Sequence, residues 1–284
     1  MITDYVKTST QFLLPKRRLT ALAGLLANVR LPIVKNCLIK HFIKAYQVNM
    51  SEAQEESPIN YPTFNDFFIR RLKSNVRIIA DADIVSPVDG YISEVGCIDS
   101  GTLIQAKGHY YSVTDLLGGD KGYAQQFQQG RFATLYLSPQ DYHRVHMPLD
   151  ATLKKMVYLP GRLFSVQPRT ARVIPNLFAR NERLVVLFDT QIGPMAMVLV
   201  GAAIVGTIGT SWHGDVTRGR HPIEFNYNSD GDIATAFKKI SEMGYFKLGS
   251  TVILLFAQGH KMQWLINSQK SNQIRLGEPL GRFS

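Results

Sequence analysis

Lys247-Leu248-Gly249-Ser250-Thr251-Val252-Ile253-Leu254-Leu255-Phe256 sets a short run of small residues directly before an unbroken apolar run. The apolar part is rich in β-branched and long aliphatic side chains and predicts a buried strand. Gly249 has no side chain to shield its carbonyl and takes backbone angles other residues avoid. A serine hydroxyl at position 250 can therefore reach back to the carbonyl carbon of Gly249 and start an acyl shift. Elimination of the resulting ester would cut the chain and leave Ser250 as an N-terminal pyruvoyl group. Most Gly-Ser-Thr triplets are ordinary turns, so the surrounding sequence has to decide.

Working outward, the 284 residues have a normal apolar share of 45%, enough to bury a sizeable core. The net charge of +10 is unevenly spread. Lys7, Lys16, Arg17, Arg18, Arg30, Lys35, Lys40 and Lys44 face a single acid, Asp4, within the first fifty residues. Basic character thus belongs to an N-terminal leader, and no nucleic-acid motif accompanies it. Cys37 and Cys97 are the only cysteines, which gives no disulfide framework and suits a reducing compartment. Pro15 and the Lys16-Arg17-Arg18 cluster break the apolar run Phe12-Leu13-Leu14, against a secretory signal. The long uncharged stretch 190–214 is interrupted by Gly193-Pro194, Gly201, Gly206 and Gly209 and reads as two buried strands rather than a membrane span.

Leu19, Leu22, Ala23, Leu26 and Val29 recur at helical spacing, and Pro32 opens a second helical run with Val34, Cys37, Leu38, His41 and Phe42 on one side. Such apolar stripes bordered by Lys and Arg suit a membrane interface, or equally a helical hairpin folded on its own core. Residues 49–62 read as a linker, after which Thr63 caps a helix over 64–72. From about residue 84, short strands alternate with Gly and Pro: 91–95, 132–137, 153–158, 184–188 and 195–205. Residues 112–117 and 233–243 read as helical. The fold class expected is α+β: a β-rich catalytic body of short, mostly antiparallel strands behind an N-terminal membrane-surface helical segment, with the division at 62/63.

Three groups can serve Ser250: Asp89 in Ser86-Pro87-Val88-Asp89-Gly90, and His143 and His146 in Asp141-Tyr142-His143-Arg144-Val145-His146-Met147-Pro148. Imidazole titrates near neutrality and can accept and return a proton, and an Asp on its far nitrogen fixes the tautomer. Asp before Gly is also a common turn residue, and paired histidines also bind metals. No third ligand stands near them, HExxH is absent, and so is the Gly-x-Ser-x-Gly elbow of α/β-hydrolases.

The ordered set Phe64-Asn65-Asp66-Phe67-Phe68-Ile69-Arg70-Arg71-Leu72-Lys73, Ser86-Pro87-Val88-Asp89-Gly90, Lys107-Gly108-His109-Tyr110-Tyr111-Ser112-Val113, Asp141 to Pro148 as above, Asn181-Glu182-Arg183, Val200-Gly201-Ala202 and Leu248-Gly249-Ser250-Thr251 resembles the bacterial-type phosphatidylserine decarboxylases. The resemblance runs from about residue 60 to 256, and the basic leader fits it. It implies a proenzyme that cuts itself between Gly249 and Ser250, with His146 as base and Asp89 as its orienter. Fragments 1–249 and 250–284 then stay together as a heterodimer that dimerises further. Ser250 becomes the pyruvoyl cofactor, whose Schiff base with the lipid amine absorbs the charge left by loss of CO2, so neither pyridoxal phosphate nor metal is needed. His143 serves the decarboxylation step, and phosphatidylethanolamine is released. Ser165 and Arg162 are candidate substrate contacts. The implied setting is a peripheral protein on anionic, phosphatidylserine-bearing lipid at the cytoplasmic face of the cell membrane. Residues 168–180, which alternate arginines with Val173, Ile174, Leu177 and Phe178, are a second segment that can dip into lipid or fold onto the body. The alternatives are a pyruvoyl enzyme for a soluble amino acid, which has no use for the leader; a hydrolase using uncut Asp89, His146 and Ser250; and a membrane-surface adaptor indifferent to Ser250→Ala.

Overall fold

A computed structural model describes residues 16–106, 108–202, 207–216, 219–227, 235–247, 250–258, 262–266 and 272–283. Its centre is an antiparallel sheet of nine strands among the described residues. In spatial order eight of them are Ile223–Asn226, Ala151–Leu159, Arg183–Thr190, Gly193–Gly201, Ser250–Phe256, Arg131–Leu137, Gly90–Cys97 and Gln273–Ile274. Ala236–Phe237 adds to the free part of Ala151–Leu159.

Ser250–Phe256 lies in the middle and is buried along its whole length. Strand side chains alternate between faces. Val252, Leu254 and Phe256 accordingly join one core with Leu135, Leu137 and Val145, while Ile253 and Leu255 join another with Phe132, Val198 and Phe178. Both faces being covered explains why this strand carries no polar alternation. Its register sets Ser250 between Leu137 on one side and Gly201 on the other.

A second sheet runs Gly214–Asp215, Thr207–Thr210, Glu242–Lys247, Arg144–His146, and a third joins Ile84–Val85, Pro279–Phe283 and Met262–Trp264. The N-terminal helices are Lys16–Ala27 and Pro32–Tyr46, as their spacing predicts. Thr63 Oγ1 accepts from Asp66 N at 3.1 Å and caps Phe64–Phe68, a helix that stops four residues short of the expected end at 72, where Leu72 instead bridges Ala53. Ser112 likewise caps Val113–Leu116. Phe42 on the second helix meets Phe64, Phe67 and Phe68 edge-on, so this helix belongs to the same small core as the aromatic one.

Two further expectations change, and an open alternative is decided. The helix over 233–243 is not formed in its described part, because Ala236–Phe237 pairs with Ala151 and Thr152 and Glu242–Lys247 enters the second sheet. Phe237 and Met243 bury against the main core from those strands. The strand over 195–205 ends at Gly201, and residues 203–205 lie outside the described residues. Residues 168–180 form two short helices, Pro168–Ala171 and Leu177–Arg180, with Val173, Ile174, Leu177 and Phe178 all buried. Buried Gln105 holds them there, donating to Ala171 O and Ile174 O and accepting from Leu177 N at 2.6–2.8 Å. No apolar tip is left to enter a bilayer.

Candidate active site

Ser250 begins the central strand and is fully buried. Gly249, on the other side of the expected scissile bond, lies outside the described residues.

The turn that follows strand Arg131–Leu137 presents His143. Its shape comes from Asp141, whose Oδ2 accepts from Ser138 N at 2.7 Å and from Ser138 Oγ at 2.8 Å. His143 Nε2 lies 3.1 Å from Ser138 O, and Nδ1 lies 3.2 Å from Ser250 Oγ. A carbonyl only accepts, so Nε2 carries the proton and the lone pair on Nδ1 faces the serine hydroxyl. Burial, with the positive charge of Arg70 as the next cause, pushes the imidazole down to about 3. His143 is therefore uncharged at ordinary working pH, with its lone pair turned toward Ser250. Phe68 stacks on its other face, ring centroids 4.0 Å apart and 24° between planes.

His146 is oriented differently. Its Nδ1 donates to Ile240 O at 2.6 Å, and its Nε2 accepts from Tyr142 Oη at 3.1 Å. Burial lowers its pKa too. The turn carrying Asp89 reaches the same strand through the backbone, where His146 N donates to Pro87 O at 2.9 Å. Asp89 itself faces Arg77: Oδ1 accepts from Arg77 Nε at 3.0 Å and from Leu276 N at 2.8 Å, and Oδ2 accepts from Arg77 Nη2. Arg77 also donates to Glu52 at 2.6 Å. Burial works against the Arg77 charge, but hydrogen bonds to Asp89 and Glu52 outweigh it and raise its pKa. Gly90 is required here: a Cβ would sit 2.3 Å from Tyr136 O.

The structure thus brings His143 to Ser250. It holds Asp89 on Arg77 and His146 between Ile240 and Tyr142. A polar cleft of about 180 Å³ beside Asp89 is lined by Glu52, Arg70, Arg77, Asp89, Asp141 and Tyr142.

Of the candidate substrate contacts, Arg162 forms a bridge with Asn181 where two chain segments cross. Asn181 Nδ2 donates to Phe164 O and to Gly201 O, both at 2.9 Å. Gly201 is the pairing partner of Ser250, so the segment 162–165, Ser165 included, is anchored to the strand beside the nucleophile. Sequence reasoning gave no role to Phe68, Arg70, Arg77 or Tyr142. Phe68, Arg70 and Tyr142 stood inside quoted motifs, while Arg77 carried no signal beyond nearness to Asp89. Among the described residues no three His, Cys, Asp or Glu side chains converge as a metal site.

A buried serine heading a central strand, with an uncharged imidazole nitrogen 3.2 Å from its hydroxyl, is the arrangement of a base-assisted serine centre. Comparison with known proteins is specific about the family. The phosphatidylserine decarboxylase family model matches residues 64–282, and a further model described as PSD matches residues 6–47. The phosphatidylserine decarboxylase proenzyme of Legionella pneumophila subsp. pneumophila (strain Philadelphia 1) is 57% identical over 280 residues, covering 99% of both chains. Those of Vibrio cholerae (strain O395) and Vibrio parahaemolyticus are 51% and 53% identical, each covering 97% of this chain and 98% of the relative. The chain belongs to the phosphatidylserine decarboxylase family, a family of decarboxylases.

Proposed function

We propose that this chain converts phosphatidylserine to phosphatidylethanolamine and CO2 by means of a pyruvoyl group made from its own Ser250. The observation that carries this reading is the 3.2 Å approach of His143 Nδ1 to Ser250 Oγ at the head of the central strand. Ser250 Oγ gives up its proton and attacks the carbonyl carbon of residue 249, and the peptide nitrogen leaves from that carbon as Ser250's own amine. Loss of the Ser250 Cα proton then breaks the Cβ–Oγ bond and releases residue 249 as a carboxylate. Water replaces the nitrogen at position 250, ammonia departs, and a ketone remains at Cα.

The site fits such a group. Ser250 is shielded from solvent, and strand Ser250–Phe256 is paired along both edges, so the cut ends stay in place. Fragment 250–284 is further tied to 1–249 where Gln273–Ile274 joins Gly90–Cys97 and Pro279–Phe283 joins Ile84–Val85. The two fragments therefore remain one body, and by family resemblance two such bodies associate. The pyruvoyl group supplies the electron sink that decarboxylation needs. His143, next to position 250 and uncharged, is placed to return a proton to the product carbon. Family resemblance gives the earlier proton transfer to His146, oriented by Asp89. The contact at Ser250 favours a second reading for that step alone, with His143 taking the serine proton.

Lipid as the substrate suits the leader. Leu22, Leu25, Leu26, Leu31 and Ile33 are exposed on the two N-terminal helices and the turn between them, with Arg30, Lys40 and Lys44 nearby in sequence. Among the described residues no single helix is long and apolar enough to cross a membrane, and the two helices meet at 112°. Residues 1–62 then serve as a surface-lying segment on the cytoplasmic leaflet and 63–284 as the catalytic part. Each basic residue near an anionic surface adds on the order of 1 kcal/mol. The function is tested by incubating purified protein with phosphatidylserine in mixed micelles and following CO2 and phosphatidylethanolamine; no release from folded, cut protein refutes it. For the leader, Leu22→Glu with Leu25→Glu is expected to weaken sedimentation with anionic vesicles at least tenfold at unchanged thermal stability. Unchanged sedimentation refutes the anchoring role.

A further inference from the structure

Two residues, one ending the aromatic helix and one just past it, act on His143 without touching Ser250. Phe68 covers the ring. Arg70 is only 5% exposed, and its Nη2 donates to Gln140 O at 3.0 Å and more weakly to Asp141 O at 3.4 Å. These carbonyls lie three and two residues ahead of the histidine, in the turn that presents it. On the far side of His143, Arg144 Nε donates to Ile69 O at 2.7 Å. The segment 68–70 is thus laced to the catalytic turn both before and after the imidazole.

Arg70 makes no ion pair among the described residues, and its Nε and Nη1 have no hydrogen-bond partner there. Burial accordingly lowers its pKa, with the Tyr61 phenol and then the carboxylates of Asp89, Asp141 and Glu52 working the other way. A fold that tolerates a buried, unpaired guanidinium loses stability by it. The compensation expected is functional. The charged groups around His143 are few. Asp141, on its own turn, spends its carboxylate on Ser138, and Arg144 is paired with Glu242. Ser250 brings no charge. Arg70 is therefore the cation that the imidazole meets.

We propose that Arg70 is a positioning residue for His143, fixing the turn that presents the ring to Ser250 and opposing a second positive charge beside it. Phe68 completes the clamp from the ring face. The idea rests on His143 acting as an uncharged proton carrier at position 250.

The test uses the full-length protein with Arg70→Gln, Arg70→Lys and Phe68→Leu, assayed on phosphatidylserine in mixed micelles from pH 3 to 8. Arg70→Gln is expected to lower kcat at least tenfold with KM within twofold, and to move the acid limb of the profile up by about one pH unit. Arg70→Lys keeps the charge but not the forked geometry, so the limb stays in place and part of the rate returns. Phe68→Leu lowers kcat without moving the limb. A limb that is the same in wild type and Arg70→Gln, or equal losses in the Gln and Lys variants, overturns the proposal. Wild type that makes no product instead refutes the underlying function. The clamp is then read from the imidazole 15N shifts of His143 in uncut Ser250→Ala protein, where Arg70→Gln must still raise the titration midpoint. Should Arg70→Gln not fold, the same titration of Arg70→Lys decides: a midpoint that rises as charge is kept overturns the role given to that charge.

Discussion

Two polar centres of the molecule, at Ser250 and at Asp89, are built in opposite ways. The Ser250–His143 pair is dry and uncharged, its imidazole stripped of basicity by burial. The Asp89–Arg77–Glu52 cluster is ionic, each charge held by an opposite one and by the backbone of Leu276. The contrast teaches a division of labour. A neutral base next to a nucleophile changes protonation during a reaction, whereas a saturated ion cluster resists change and fixes the chain around it. His146 lies between them in the chain's layout, reached by Tyr142 from one side and by the Asp89 turn through the backbone.

The sharpest break in this contrast is Ser250→Ala, which removes the nucleophile alone. It is expected to leave the chain uncut and to abolish product altogether, measured by gel and by CO2 release. Next come the two histidines. His143→Ala is expected to cut itself yet lose product formation by roughly 10²–10⁴-fold, and His146→Ala to stay uncut. The opposite pattern would move the serine's base to His143. Asp89→Asn tests the ionic centre. It leaves Arg77 with half its counter-charge in a buried setting, and about 2 kcal/mol of stability should go, seen as a melting point several degrees lower. A cluster that mattered only for proton transfer would leave the melting point alone.

The smallest effect is on pH dependence. Below about pH 6.5 an unfolded imidazole binds a proton that folded His143 refuses until about 3. The unfolded state thus binds more protons in that window, and stability falls as pH drops through it, by roughly 1.4 kcal/mol per unit. Denaturant midpoints at pH 7 and pH 5 should show this loss, and His143→Phe should reduce it.

What was legible in the sequence follows from locality. The strand 252–256, the caps Thr63 and Ser112 and the helix opened by Pro32 announce themselves through neighbours a few residues away. Residues 233–243 misled because Phe237, Ile240 and Met243 recur at a spacing of three, as on a helix, while their real partners lie about ninety residues earlier. Residues 168–180 alternate arginine with apolar side chains as the leader does; only Gln105, far upstream, shows that one segment is folded inward. At the site, the residue types were readable but their pairing was not. Nothing local to Asp89 says that Arg77 will claim it, and two histidines three apart give no sign of which faces Ser250.

The central claim is that the chain cuts itself ahead of Ser250 and turns that residue into a ketone. A denaturing intact-mass spectrum of the purified 31.9 kDa protein tests it most directly. The account predicts two species that divide the chain after Gly249, the smaller one without an N-terminal amine. A single full-length mass, from folded protein kept at neutral pH, would contradict it.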